Sequence, residues 1–214
     1  MKIAGIAGNR GRNLLHIADI SPGGAELSVV VANGEDAPAL DGAEDRGIPS
    51  VAVERGDDES RESHEERLLD ALAEYEFDVL CLDGFMRVLS PEFLDSVETV
   101  LNVHPSLLPS FPGVDAHAQV LDANVRTTGA TVHVVTEAVD DGPIVTQESV
   151  PVFEDDTEAS LKERVLYEAE FEAYPRAIRW FAEGGVEVER DDQGRPVGVD
   201  LAGDVKGDLP ARRT

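Results

Sequence analysis

The sequence predicts an α/β protein with an open, twisted and mostly parallel sheet that carries helices on both faces. Short apolar runs alternate with amphipathic stretches in the amino-terminal half, which is the rhythm of repeated strand–helix–strand units. Residues 79–82 are apolar without interruption, as expected of a parallel strand that is buried on both faces. Residues 104–113 follow another strand-like run and contain three prolines, so they form an irregular loop at a strand end. The predicted architecture is Rossmann-like.

In the amino-terminal half, each predicted strand is followed by a stretch with helical spacing. The strands are expected at residues 3–7, 26–31, 50–53 and 79–82, and the helices at 13–20, 37–46 and 59–75. Within the third helix Leu68, Leu69 and Leu72 share one side and acidic residues surround them, which is the pattern of a helix packed on a core. Such alternation predicts parallel strands joined by crossover helices.

In the carboxyl-terminal half, Ser90 and Pro91 suit a helix start, because proline is favoured in the first helical turn. The remaining elements are a short helix at 92–96, strands at 97–103, 128–136 and 144–152, a helix at 116–123 and a long helical pattern at 157–183. Pro175 is expected to break that last helix, since proline lacks a backbone donor. We expect one domain over residues 1–188, then an acidic, partly flexible extension over 189–214 with at most a small hairpin, frayed beyond about residue 205.

The charge of the chain is unusually negative. Among 214 residues, 44 are Asp or Glu and 18 are Lys or Arg, so the formal net charge is -26, while 42% of the residues are hydrophobic and can form a core. Such a charge repels phosphate groups and argues against nucleic-acid or membrane partners. Lysine occurs only three times, and this acidic, lysine-poor composition predicts a halophilic protein that works in concentrated salt.

The cysteine count and the hydropathy of the chain exclude several kinds of protein. Cys81 is the single cysteine, which excludes an internal disulfide and a cysteine-based zinc cluster. The amino terminus lacks a charged leader followed by a long apolar core, and no run approaches the roughly 20 apolar residues of a membrane span. We therefore expect a cytoplasmic protein.

Three segments carry candidate chemistry. Residues 8–13 form a glycine loop before a helix, where backbone amides can hold a phosphate, although a plain glycine turn with Asn13 near the helix cap explains them equally well. Asn102 and His104 are two residues apart at the end of an extended strand, so both side chains point to the same side and can reach one ligand atom. Residues 140–143, Asp-Asp-Gly-Pro, form a turn that needs no function by itself, but a carboxylate held near an imidazole raises the pKa of the imidazole and favours the charged form that stabilises an oxyanion.

In order and spacing, these segments resemble the folate-dependent phosphoribosylglycinamide formyltransferase family. The resemblance extends over residues 3–188 and includes the glycine loop and the segments 83–91, 101–113, 129–133, 140–147, 174–175 and 180–181. It implies transfer of a formyl group from 10-formyltetrahydrofolate, as co-substrate and without a metal, to the amine of N1-(5-phosphoribosyl)glycinamide in purine biosynthesis. It also implies small-molecule substrates and a monomer or homodimer.

The resemblance also implies roles for individual residues. It makes Asn102, His104 and Asp140 the catalytic residues, with His104 as the proton donor. The phosphoribosylglycinamide site would contain Gly11, Arg12, Asn13, Tyr167, Glu168, Ala169 and Glu170. The folate site would contain Arg61, Met86, Arg87, Val88, Leu89, Thr136, Glu137, Ala138 and Val139, together with Asn102 and Asp140.

Two other functions remain open at this point. Formyltetrahydrofolate deformylase, a hydrolase, has a similar catalytic region, so formyl loss without an acceptor amine is the first alternative. A non-catalytic module that senses a folate or a phosphorylated metabolite is the second. A transferase acting on tRNA is disfavoured, because it would need a basic surface.

Overall fold

A computed structural model, which describes residues 1–203 and 205, contains a seven-stranded sheet flanked by helices. The strands are β1 (Lys2–Ala7), β2 (Glu26–Ala32), β3 (Ser50–Ala52), β4 (Val79–Asp83), β5 (Val100–His104), β6 (Thr127–Val134) and β7 (Ile144–Pro151). The helices are α1 (Arg12–Ile20), α2 (Pro38–Glu44), α3 (Arg61–Ala73), α4 (Pro91–Asp95), α5 (Ala116–Asp122), α6 (Glu158–Arg164) and α7 (Phe171–Ala182).

The strand order of the sheet is β3-β2-β1-β4-β5-β6-β7. The pairs from β3 to β5 are all parallel, whereas β6 runs antiparallel to both β5 and β7. The prediction of a mostly parallel open sheet is therefore confirmed. Because β1, β4 and β5 are parallel neighbours, their carboxyl ends meet at one edge of the sheet, and this edge carries the glycine loop, Asp83 and His104.

Two hydrophobic cores lie on the two faces of the sheet. Successive residues of β4 alternate between them, with Cys81 in one core and Leu80 and Leu82 in the other, as the two-residue period of a strand requires. The first core packs against helices that include α1 and α7, and the second packs against α3 and α4. The prediction of helices on both faces is confirmed by this arrangement.

The helical pattern at residues 157–183 has a different break from the predicted one. A π-helix at Val165–Glu170 separates α6 from α7, and Pro175 lies inside α7. The carbonyl that would pair with an amide at position 175 belongs to Phe171, the first residue of α7. The hydrogen bond that Pro175 cannot form would therefore have been made at the junction between the π-helix and α7, and the helix continues through the proline. The prediction of a break at Pro175 was wrong.

The carboxyl-terminal hairpin consists of β8 (Val186–Arg190) and β9 (Pro196–Leu201), paired antiparallel. The expected domain boundary after residue 188 falls within β8, and Val188 and Val199 pack against the first core. Val205 is also buried there. The predicted fraying beyond this position concerns residues outside those described. Among the described residues, no helix is both long and apolar enough to span a bilayer.

Candidate active site

The glycine loop and the loop after β4 pass very close to each other at the carboxyl edge of the sheet. The Gly8 amide donates a hydrogen bond of 2.9 Å to the carbonyl of Asp83. A Cβ atom at position 8 would lie 1.8 Å from the carbonyl oxygen of Gly84, so only glycine fits there. This contact brings the amino end of α1 against the end of β4.

His104 and Asp140 form the first cluster of polar side chains at this edge. The Nδ1 atom of His104 lies 3.2 Å from Oδ2 of Asp140, and their side chains are only 6% and 11% exposed. Asp140 has a φ of 52°, a left-handed conformation that is uncommon outside glycine. The amide of Gly113 donates to the same Oδ2 at 2.7 Å and holds the carboxylate in place.

The other ring nitrogen of His104 faces the loop that follows β5. Its Nε2 atom lies 2.9 Å from the carbonyl oxygen of Phe111. Both ring nitrogens therefore face oxygen acceptors, and a doubly protonated imidazolium can donate to both at once. The orientation of the His104 ring is therefore set by Asp140 on one side and by the Phe111 carbonyl on the other.

Asn102 reaches the same cluster through the neighbouring strand. In the antiparallel register of β5 and β6, Asn102 lies opposite His133, and its Nδ2 atom is 3.3 Å from Nε2 of the histidine. The same Nε2 lies 3.7 Å from Oδ1 of Asp140. The structure therefore brings together all three residues expected to be catalytic and adds His133, which sequence reasoning did not select. The signal that could have identified His133 is its register with Asn102, which the sequence does not show directly.

A second cluster surrounds Asn13 at the start of α1. The Nδ2 atom of Asn13 donates to Oε2 of Glu170 at 2.7 Å and lies 3.2 Å from Oδ1 of Asp83. The backbone amide of Asn13 donates to the other carboxylate oxygen of Asp83 at 2.8 Å. Burial raises the pKa of Glu170 to about 7 and also raises the pKa of Asp83. Sequence reasoning included Glu170 in the site but not Asp83.

Arg12 lies at the outer side of this second cluster. Its guanidinium stands 5.8 Å from the ring centre of Tyr167, and its Nη1 atom lies 3.5 Å from the tyrosine hydroxyl. No carboxylate among the described residues forms an ion pair with Arg12, although acidic residues far outnumber basic ones in this chain. The positive charge of Arg12 acts on Asp83 and Glu170 without direct contact, so the guanidinium remains available to an anionic group of a ligand.

Two further residues expected at the phosphoribosylglycinamide site lie elsewhere on the π-helix. The Ala169 side chain is fully buried in the first core, so it faces away from Arg12 and Asn13. Glu168 is exposed. Of the π-helix residues, Tyr167 and Glu170 are therefore the ones that contact the glycine loop and α1.

The residues expected to bind folate occupy two segments. Arg61, Arg87 and Val88 line a pocket of about 220 Å³ together with Arg55. Met86 is 72% exposed, whereas Leu89 is 4% exposed and packs in the second core.

The second expected folate segment, 136–139, precedes Asp140. Thr136 donates from its hydroxyl to the carbonyl of Ala138 at 3.3 Å, Glu137 precedes that residue, and Val139 is 56% exposed. An exposed valine beside a buried carboxylate offers apolar surface next to the first cluster. Within residues 1–203 and 205, no three His, Cys, Asp or Glu side chains are grouped to hold a metal ion.

The sequence and the fold are similar to those of known formyl transferases. A family model described as formyl transferase matches residues 1–178. The phosphoribosylglycinamide formyltransferase of Escherichia coli (strain K12) is 35% identical over 195 residues, which cover 89% of this chain and 92% of that protein. The crystal structure of glycinamide ribonucleotide transformylase 1 from Symbiobacterium toebii has a TM-score of 0.86 and 37% identity, with 94% of each chain covered.

A longer relative matches over part of its length. The trifunctional purine biosynthetic protein adenosine-3 of Gallus gallus is 46% identical over 165 residues, which cover 77% of this chain. The match spans 16% of that longer protein. The similarity therefore concerns one portion of the trifunctional relative.

Proposed function

The chain belongs to the formyl transferase family, and we propose that it transfers the formyl group of 10-formyltetrahydrofolate to the amine of N1-(5-phosphoribosyl)glycinamide. The observation that carries the proposal is the buried contact of 3.2 Å between His104 and Asp140 beside Asn102. Formyl transfer to an amine develops negative charge on the formyl oxygen and needs a proton donor nearby. These three side chains supply an amide donor, an imidazole donor and a carboxylate.

Each catalytic residue has a distinct part in this proposal. Asn102 and His104 donate hydrogen bonds to the formyl oxygen, and Asp140 orients the His104 ring and balances its charge. Removal of one such donor typically slows an enzyme by about 100- to 1,000-fold. Holding the amine and the formyl group side by side contributes further acceleration, because the reaction then becomes effectively unimolecular.

His104 must exchange one hydrogen bond to act on the substrate. Its Nε2 atom lies 2.9 Å from the carbonyl oxygen of Phe111, and its Nδ1 atom faces Asp140. Since the carboxylate is the stronger acceptor, the bond to Phe111 is the one that a substrate oxygen would replace. The loop after β5 therefore holds the proton donor in place until the substrate binds.

The acceptor substrate would bind around the second cluster. Its phosphate group is assigned to Gly11 and Arg12 at the amino end of α1, where the Arg12 guanidinium favours an anion, while the backbone amides of Asn13 and Leu14 already donate to Asp83. Glu170 and Asn13 would then contact the sugar hydroxyls, because both offer oxygen acceptors near Arg12. Tyr167 supports the phosphate contact through its hydroxyl, which lies near the guanidinium.

The folate co-substrate is assigned to the loop after β4 and to residues 136–139. It supplies the formyl group when bound. The exposed side chains of Met86 and Val139 offer apolar surface for a planar ring, and the arginine-lined pocket offers positive charge for the carboxylates of the folate tail. The exposed apolar side chains and the arginines therefore fit a molecule that has a flat ring at one end and an anionic group at the other.

We also propose a cytoplasmic location and a halophilic source for the protein. The net charge of -26 and the scarcity of lysine support adaptation to concentrated salt. A one-carbon donor and a phosphorylated amine are both small, charged metabolites, which supports a soluble setting without a membrane partner.

The proposed activity is tested by incubating the purified protein with 10-formyltetrahydrofolate, with and without N1-(5-phosphoribosyl)glycinamide. We expect a formylated ribonucleotide to appear, detected by mass spectrometry, and formyl loss to depend on the amine. Equal formyl loss without the amine would instead identify a hydrolase. Binding of both compounds without any turnover would identify a binding module.

Substitution of the proton donor tests the catalytic assignment. We expect His104→Ala to lower kcat by at least about 100-fold while the Kd for either substrate stays within a few-fold, because the imidazole acts mainly in the transition state. His16→Ala is a suitable control, since His16 stacks on Phe171 and does not contact Asp140. Unchanged turnover in His104→Ala would contradict the assignment.

A further inference from the structure

His133 lies directly beside the proposed catalytic residues and belongs to neither of the two proposed substrate sites. It is 2% exposed, and its position on β6 is opposite Asn102 on β5. Cross-strand partners on the same face of a sheet are close enough to interact through their side chains. The Nε2 atom of His133 accordingly lies 3.3 Å from Nδ2 of Asn102.

The backbone determines which nitrogen of His133 carries the proton. Its Nδ1 atom lies 3.1 Å from the carbonyl oxygen of Val134, and a carbonyl can only accept, so Nδ1 must be the protonated nitrogen. Burial lowers the pKa of His133, although the Val134 carbonyl and Asp140 oppose this effect, so the ring is neutral near pH 7. In a neutral ring with a proton on Nδ1, Nε2 is an acceptor.

An acceptor at this position restricts the amide of Asn102. The amide nitrogen can donate to Nε2, whereas the amide oxygen would place two lone pairs against each other if the group were flipped. We propose that His133 is a positioning residue that fixes the orientation of the Asn102 amide, so that its second N–H is directed to the substrate oxygen. This inference rests on the proposed function, because it assigns a role to Asn102 in formyl transfer.

The charged groups around His133 explain why its neutral state matters. Asp140 lies 3.7 Å from Nε2, and His104 is the other titratable group that interacts with the ring. A proton on Nε2 would turn this atom from an acceptor into a donor that pairs with Asp140. The Asn102 amide would then lose its partner, and Asp140 would be shared between two imidazoles.

A double-mutant cycle tests the proposal. We expect His133→Leu to lower kcat by roughly 10- to 100-fold with KM nearly unchanged, as is typical when the partner of an active group is removed. In the Asn102→Ala background, the same His133→Leu change should have little further effect, because the group through which His133 acts is absent. Equal fractional losses in both backgrounds would overturn the proposal, as would an unchanged kcat in the single variant.

A second variant separates the hydrogen bond from the packing of the ring. His133→Gln retains an acceptor oxygen, so we expect it to keep more activity than His133→Leu; a loss in His133→Gln as large as in His133→Leu would overturn the proposal. Thr128→Val is a matched control, because Thr128 is buried on the same strand and its hydroxyl has no hydrogen-bond partner among residues 1–203 and 205. Its kcat and melting temperature should not fall.

The cycle also distinguishes this inference from the proposed function. If the wild-type protein releases formate from 10-formyltetrahydrofolate without the amine, the proposed acceptor is wrong. Asn102 would still contact the formyl oxygen during hydrolysis, so the same cycle can be measured on formyl release. The two hypotheses can therefore fail independently.

Discussion

Two carboxylates, Asp83 and Glu170, share the side-chain amide of Asn13 at the start of α1. Within the part of the chain that the structure describes, the Oδ1 atom of Asn13 is buried without a hydrogen-bond partner, so this cluster has a free acceptor as well as two acids. Burial raises the pKa of both acids, and the negative charge of Asp83 raises the pKa of Glu170 further. This arrangement has a cost for the folded protein at neutral pH, when both groups tend to ionise.

The raised pKa of Glu170 makes the stability of the folded protein depend on pH. The pKa of Glu170 is about 7 in the folded protein and 4.5 in an unperturbed chain, so between these values the folded state holds a proton that the unfolded state has released. The free energy of unfolding should therefore fall as the pH rises from about 4.5 to 7, and the full penalty should be present above pH 7. Glu170→Gln removes this titration and should stabilise the protein at pH 8 by up to about 3 kcal/mol.

Urea unfolding of Glu170→Gln and the wild-type protein at pH 5 and pH 8 measures this effect. The difference between the two proteins should be larger at pH 8. Glu168→Gln, two residues away on the exposed side of the π-helix, is the control and should show no such change. A constant difference at both pH values would contradict the raised pKa.

At the scale of elements, α7 is joined to the sheet by a buried tyrosine. The Tyr174 hydroxyl lies 3.1 Å from the carbonyl oxygen of Leu82 and 3.0 Å from that of Leu101, which belong to β4 and β5. The same helix follows the π-helix that carries Tyr167 and Glu170. Tyr174 therefore links the strands that end in Asp83 and His104 with the helical segment that contacts the glycine loop.

We predict that Tyr174→Phe lowers the free energy of unfolding by about 0.5 to 1.5 kcal/mol, because the buried hydroxyl that bonds to the two strand carbonyls is lost. Chemical denaturation measures the change. Tyr75→Phe is the matched control, since Tyr75 packs partly against the second core and its side chain forms no hydrogen bond with any residue that the structure describes. Equal losses in the two variants would show that the Tyr174 hydroxyl contributes no specific stability.

For the whole molecule, negative charge is the dominant electrostatic property. Only 18 basic residues balance 44 acidic ones, so most carboxylates repel one another at low ionic strength. Salt shortens the range of this repulsion from about 10 Å at 0.1 M to about 3 Å at 1 M. The folded state concentrates the charge more than the unfolded chain and should gain more from screening.

We therefore predict that the melting temperature rises when KCl increases from 0.1 M to 2 M. If screening adds about 3 kcal/mol, the rise should be roughly 6 to 12 °C for a protein of this size. Scanning calorimetry over a salt series measures it, and activity assays over the same series test whether turnover follows. A melting temperature that stays constant or falls would contradict both the electrostatic argument and the proposed halophilic source.

The sequence by itself determined the fold class and the pair of residues, Asn102 and His104, that we propose to be catalytic. Strand and helix periods are local properties, so the alternation of elements and the shared direction of Asn102 and His104 follow from residues close together in the chain. The resemblance to the formyltransferase family selected Asp140, and the structure places this aspartate beside His104.

Only the tertiary structure decided which distant groups complete the site. His133 is 31 residues from Asn102, and their contact depends on the antiparallel register of β5 and β6. The Phe111 carbonyl at His104, the burial of Asp83 and the π-turn ahead of Pro175 likewise arise from how loops and helices pack. Register and packing depend on contacts between residues far apart in the chain, and local sequence patterns do not predict such contacts.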